Sequence, residues 1–188
     1  MAHPSPQPEH DNLAISILLE EYRALYGLAV FRMASLERRV PLFGTVLALF
    51  AGSVSVLPEH AQFSIFYGVP IALIWLVRTT ISHARSFEDV LRRIDEIECD
   101  VNARTGSELM RFQSSHPSKG VTTGGRTGTE IVTAIVVVSL LMLLQCVWMF
   151  TTFAGQDRIE MLCYLAFSVS IAAYLAWCVF ALWTYRSR

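Results

Sequence analysis

PLFGTVLALFAGSVSVLPEHAQFSIFYGVPIALIWLV, residues 41–77, is the stretch that decides the fold. Asp, Glu, Lys and Arg are absent from Pro41 to Pro58 and again from Ala61 to Val77. Each run is about 17 residues, close to what an α-helix needs to cross a hydrocarbon core of about 30 Å. Taken singly, such a run also suits a helix buried in a soluble core. The setting favours the membrane, because only Pro58, Glu59 and His60 separate the two, which predicts a tight helical hairpin with a barely emerging turn.

Two more charge-free runs follow, Ile131 to Gln156 and Met161 to Tyr185. Over 188 residues, 53% are hydrophobic and only 16% charged, and the mean hydropathy is +0.44. These values lie outside the range of ordinary soluble domains. The expected fold is therefore an all-α integral membrane protein with four transmembrane helices arranged as two hairpins. The first hairpin extends into the cytoplasm as an antiparallel helical pair; two spans is the alternative.

Lys and Arg near spans stay in the cytoplasm. Arg23, Arg32, Arg38 and Arg39 precede the first run, eight basic residues lie between Arg78 and Glu130, and Arg186 and Arg188 close the chain. The other side holds Arg158 alone. Both termini are thus expected on the cytoplasmic side of the membrane. The acidic, Pro-rich start, with the first apolar run about 40 residues in, does not resemble a cleavable signal peptide.

Residues 1–10 are expected to be disordered, 11–40 to form an amphipathic helix, and 41–78 the first transmembrane hairpin. A charged helix should occupy 79–113, a flexible Ser/Thr/Gly linker 114–129, and the second hairpin with a short tail 130–188. Leu18, Tyr22, Leu25 and Leu36 recur at helical spacing, with Ala29 and Arg32 between them, and so do Phe87, Val90, Ile94, Ile97 and Val101. Because the hairpin brings these helices out side by side, the two stripes should form a seam. The interleaved charges, Glu88, Arg92, Asp95, Glu98 and others, are read as solvated, with a use in assembly as the alternative.

Rows of small residues in the spans, Gly44, Ala48 and Gly52, Gly68 and Ala72, and Ser168, Ala172 and Ala176, permit close helix approach. They would serve packing within the chain or homo-oligomerisation. The third span, rich in Val and Leu, is expected to face lipid. Trp75, Trp148, Phe150, Phe153, Tyr164, Trp183 and Tyr185 sit where aromatic belts form. Thr45, Ser55, Tyr67, Gln145, Ser168 and Ser170 are the polar groups of a weakly polar path in an oligomer, or of interhelical hydrogen bonds.

The spans carry no ionisable residue at mid-membrane, which argues against an ion-coupled transporter. Cys99, Cys146, Cys163 and Cys178 have no disulfide or zinc spacing. His60 and His116 lack partners at metal-ligand spacing. No metal and no cofactor are expected, and a net charge of −1 gives no reason to expect nucleic acid. The expected partners are the lipid bilayer, further copies of the chain and a cytosolic protein.

Two resemblances carry functional expectations. Arg78-Thr-Thr-Ile-Ser-His83 resembles the Arg-x4-His pattern of HEPN ribonucleases, which makes Arg78 and His83 the catalytic candidates; the spacing also arises by chance in arginine-rich helices. Glu21-Tyr22-Arg23-Ala24-Leu25, followed by a membrane hairpin and a charged helix, resembles small, largely uncharacterised bacterial multi-pass membrane proteins with a Glu-Tyr-x-Ala-Leu opening helix. The likeness covers about residues 18–100 and departs at Tyr26 and Gly27. Proteins of this layout look like membrane effectors or accessory proteins of antiviral defence. That likeness implies a non-enzymatic, oligomeric, pore-forming or membrane-perturbing effector, with a scaffold or sensor recruiting a cytosolic partner as the alternative and a membrane-bound ribonuclease third.

Overall fold

A computed structural model of the chain describes residues 7–56, 59–116, 123–153 and 158–186. Every regular element among them is an α-helix: α1 (Gln7–Glu37), α2 (Arg39–Val56), α3 (Glu59–Thr105), α4 (Gly125–Phe153) and α5 (Arg158–Arg186). Among the described residues, three helical stretches are long and apolar enough to cross a membrane: Ile65–Thr105, Gly125–Thr152 and Arg158–Leu182. That makes the chain an all-helical membrane protein by length and composition.

The first expected span falls on α2, whose 18 residues reach about 27 Å, near the lower limit for crossing a hydrocarbon core of about 30 Å; it is not among these three. The break between α1 and α2 falls at Arg38, and Pro41 then sits in the first turn of α2, where its missing N–H costs no helical bond. Helix α1 begins at Gln7, inside the segment expected to be disordered.

Helix α3 is the axis and packs against all four other helices. It is one uninterrupted helix of 47 residues, apolar up to Val77 and charged from Arg78 onward. Helix α1 runs antiparallel beside its charged half: Arg93 bonds Glu21 at 2.9 Å, Tyr22 meets Glu98 at 3.3 Å, and Arg39 reaches Thr79 at 2.9 Å. Phe87, Val90, Ile94, Ile97 and Leu36 are buried, and Tyr22 and Leu25 pack against that core half-buried, with Leu18 also half-buried.

In the apolar half, α3, α4 and α5 close on Phe66, Leu73, Val77, Met142, Leu143, Cys146, Phe150, Tyr164, Ile171 and Leu175. Pro70 lies inside α3 and is fully buried. Lacking an N–H, it leaves the Phe66 carbonyl without its helical donor. The Tyr164 hydroxyl fills that place, donating to the Phe66 oxygen at 3.1 Å. Tyr164 also stacks on Phe150 at 4.0 Å, with Phe66 edge-on to both.

Two expectations about the spans are thereby corrected. Phe150 and Tyr164 are core residues, 1% and 0% exposed, because they pair with each other and with a freed carbonyl and do not meet the interface. Trp75 and Trp148 do face outward; the side chains of Phe153, Trp183 and Tyr185 lie outside the described residues. The third expected span, α4, is the more enclosed of the last two and α5 the more exposed. Its buried row, Ile131, Val132, Ile135, Ser139, Met142, Leu143 and Cys146, sits against α3 and α5.

The linker expected at 114–129 is ordered in its described parts. Helix α4 already begins at Gly125, and Thr123 and Gly124 are buried. A Cβ on Gly124, where φ is +71°, would stand 3.0 Å from the Ala84 carbonyl oxygen. Glycine is required here because backbone approaches backbone. The Thr129 hydroxyl accepts from the Thr123 N–H at 3.0 Å and donates to the Thr123 oxygen at 3.2 Å. Residues 117–122 of that segment lie outside the described residues.

Candidate functional site

The charged half of α3 positions two buried carboxylates. In the run Thr80, Ala84, Phe87, Leu91, Ile94, Glu98, Val101, steps of four and three alternate and every residue is buried. Glu98 therefore occupies a core position of a helical seam. It is 0% exposed and accepts hydrogen bonds from the backbone N–H groups of Gln113 and Ser114, at 3.0 and 2.8 Å, and from the Tyr22 hydroxyl at 3.3 Å. One turn further on, the Asn102 side-chain oxygen accepts from the Leu109 and Met110 N–H groups, and its amide donates to the Met110 oxygen.

These two side chains hold the segment after α3 against the α1/α3 pair. Gly106, with φ +65°, ends α3 in the left-handed conformation typical of helix C-termini. The chain then folds back, and Phe112 meets the Tyr26 ring edge-on at 5.4 Å. Glu88 performs a related task at the other end of the loop. It accepts from the Gly124 N–H at 2.8 Å and from Arg92 at 3.3 Å, joining α3 to the start of α4. Both carboxylates were expected among the solvated charges; burial and backbone partners correct that.

At the junction of the apolar and charged halves lies a cationic cluster. Arg39, at the start of α2, donates through Nη1 to the Thr79 and Thr80 hydroxyls at 2.9 and 3.5 Å. His83, one turn along the same face of α3, is half-buried, and its Nδ1 is buried without a hydrogen-bond partner among the described residues. Burial lowers its pKa first, and the nearby Arg39 and Arg32 lower it further. Arg32 brings its own buried Nε, also without a partner there.

The two ribonuclease candidates do not converge. Five residues along a continuous helix correspond to a rotation of about 140°, so Arg78 is exposed while His83 turns toward α1. Glu130, at the start of α4, bonds Arg126 on its own helix. Of the small-residue rows, Gly44, Ala48, Gly52, Gly68 and Ala72 are exposed, and a Cβ on any of these three glycines would meet nothing within 4 Å. Helix α2 instead turns Phe43, Leu47 and Phe50 to the core. Only the last row contributes inside the chain, through buried Ser168 and half-buried Ala172; Ala176 is exposed.

Three hydroxyls of the spans bond within their own helices. Thr45 donates to the Pro41 oxygen, Ser139 to Ile135 and Ser170 to Ala166. Cys146 is buried, Cys178 half-buried, and Cys99 and Cys163 exposed, all as free thiols.

Fold and site together define a class: a helical membrane protein whose central helix runs unbroken from an apolar half into a packed, charged half closed by buried carboxylates. Compared with known protein families, curated proteins and solved structures, the chain matches none.

Proposed function

We propose that this chain is a four-span, non-enzymatic membrane effector that self-associates and perturbs the bilayer, with its helical layer in the cytoplasm receiving the controlling signal. The observation that carries the reading is the continuity of α3. A partner acting on the charged half of this 47-residue helix moves the same rigid rod that packs against α4 and α5 in the apolar half. In this reading α2 is the first span, crossing where the bilayer is locally thinned, and the basic excess argues for both termini inside.

Self-association is supported by the outward rows at Gly44, Ala48, Gly52, Gly68 and Ala72, which are unused within one chain. The aromatic and aliphatic core between α3, α4 and α5 leaves permeation to the interface between copies. Purified protein in liposomes loaded with a self-quenched dye tests this. Release that rises with protein density supports the effector, and tight vesicles at every density and with every cytosolic partner overturn it.

A second reading, a scaffold that recruits a cytosolic protein, is favoured by one feature. Leu13, Ile17, Leu28 and Phe31 are exposed on α1 within the charged layer, more apolar surface than a solvated helix needs. Charge reversal at Arg92 or Asp95 that abolishes function while permeability stays constant would select it.

A further inference from the structure

We infer that the junction of α1, α2 and α3 at Arg32, Arg39 and His83 binds a phosphate group, supplied by an anionic phospholipid of the leaflet on the charged side. The position fits a headgroup. The apolar run of α3 ends at Val77, Arg39 bonds the hydroxyls of Thr79 and Thr80 just beyond it, and exposed Trp75 and Ile71 mark the lipid-facing surface one turn below.

The chemistry fits as well. Several other arginines find carboxylates: Arg23 pairs with Glu20, Arg93 with Glu21 and Glu96, Arg104 with Asp100, and Arg126 with Glu130. Arg32 and Arg39 pair with no carboxylate among the described residues. The nearest acids along these helices are engaged or turned away: Glu88 is held by Arg92 and the Gly124 N–H, and Glu37 is exposed. Half-buried cations without a counter-charge are costly to keep in place.

Two guanidinium forks and an imidazole at headgroup depth match the oxygens of one phosphate. The Arg39 bonds to threonine use Nη1 only, which leaves the other edge of the fork for a bidentate contact. Arg32 Nε and His83 Nδ1, buried without partners among the described residues, mark a site whose polar groups are not completed by protein.

The test is native mass spectrometry of the full chain released from nanodiscs of phosphatidylcholine with added phosphatidylglycerol, alongside thermal shifts in inorganic phosphate. The expected result is retention of phosphatidylglycerol over phosphatidylcholine, weakened about tenfold by Arg39→Gln or Arg32→Gln and unchanged by Arg158→Gln. Arg39→Lys, which keeps the charge but loses the fork, should fall between wild type and Arg39→Gln and guards against a folding defect. If millimolar phosphate stabilises wild type but neither Gln variant, and lipid selectivity is absent, the site holds but its phosphate is soluble. Equal retention of both lipids with no phosphate effect, or a preference indifferent to both Gln variants, overturns the site. Neither result depends on dye release, so failure here leaves the effector reading standing.

Discussion

Replacing Glu98 with alanine should loosen the segment after α3 while leaving the spans intact. Three donors lose their acceptor: the Gln113 and Ser114 N–H groups and the Tyr22 hydroxyl. Each buried unsatisfied donor costs about 1–3 kcal/mol. Gln113 and Ser114 are only half-buried, so water replaces part of the loss and the two amides together favour opening by about 2–4 kcal/mol. Hydrogen exchange of a peptide spanning 107–116 in the nanodisc-embedded protein should then accelerate roughly thirtyfold to several hundredfold. Glu98→Gln keeps one carbonyl oxygen and should show about half that effect in free energy. Peptides from 65–77 should exchange as in wild type. Unchanged protection of 107–116 in Glu98→Ala would refute the claim that this carboxylate closes the charged half.

Tyr164→Phe removes the donor to the Phe66 carbonyl and should lower unfolding stability by about 1–2 kcal/mol; in a Pro70→Ala background, where residue 70 regains its N–H, the same substitution should cost clearly less, which a double-mutant cycle in denaturant reads directly. Gly124→Ala should lower the melting temperature more than Gly106→Ala, since both glycines have positive φ but only Gly124 lies against the Ala84 backbone. His83 has a lowered pKa in the folded protein, so the unfolded chain binds the proton more readily. Stability should therefore fall as pH drops below about 6.5, the unfolded value, and His83→Gln should flatten that dependence in thermal melts between pH 7.5 and 5.

The charged half was the legible part of this sequence. Polar and apolar faces alternate there, so the stripes through Leu25 and Leu36 and through Phe87, Val90, Ile94 and Ile97 announce which side packs. Glu98 was legible too, because it sits in the four-three rhythm between Ile94 and Val101; its charge hid it among solvated neighbours. Asn102, one turn on and just before the Gly106 stop signal, belonged to the same clue.

In the spans that guide fails. Lipid and protein interior are equally apolar, so hydrophobicity does not say which face of a helix is buried. Hence α4 looked lipid-facing although its row through Ile135 and Cys146 is enclosed, and Phe150 and Tyr164 looked like interface anchors although they stack in the core. Pro70 was a usable signal: a proline inside a span orphans a carbonyl that some donor must satisfy. The small-residue rows marked surfaces for close approach, but only a folded chain shows that Gly44, Gly52 and Gly68 are not used internally. At the end of the Ser/Thr/Gly segment, glycine and threonine serve close packing and capping, through Gly124 against Ala84 and Thr129 on Thr123.

The number of copies in one particle tests the account most directly. Native mass spectrometry of the protein released from nanodiscs should give a multiple of the 21.1 kDa chain mass, reduced by bulky substitutions at Gly44, Gly52 or Gly68 that leave the single-chain fold unchanged. A single copy at 21.1 kDa under all conditions would contradict self-association and leave the scaffold reading in its place.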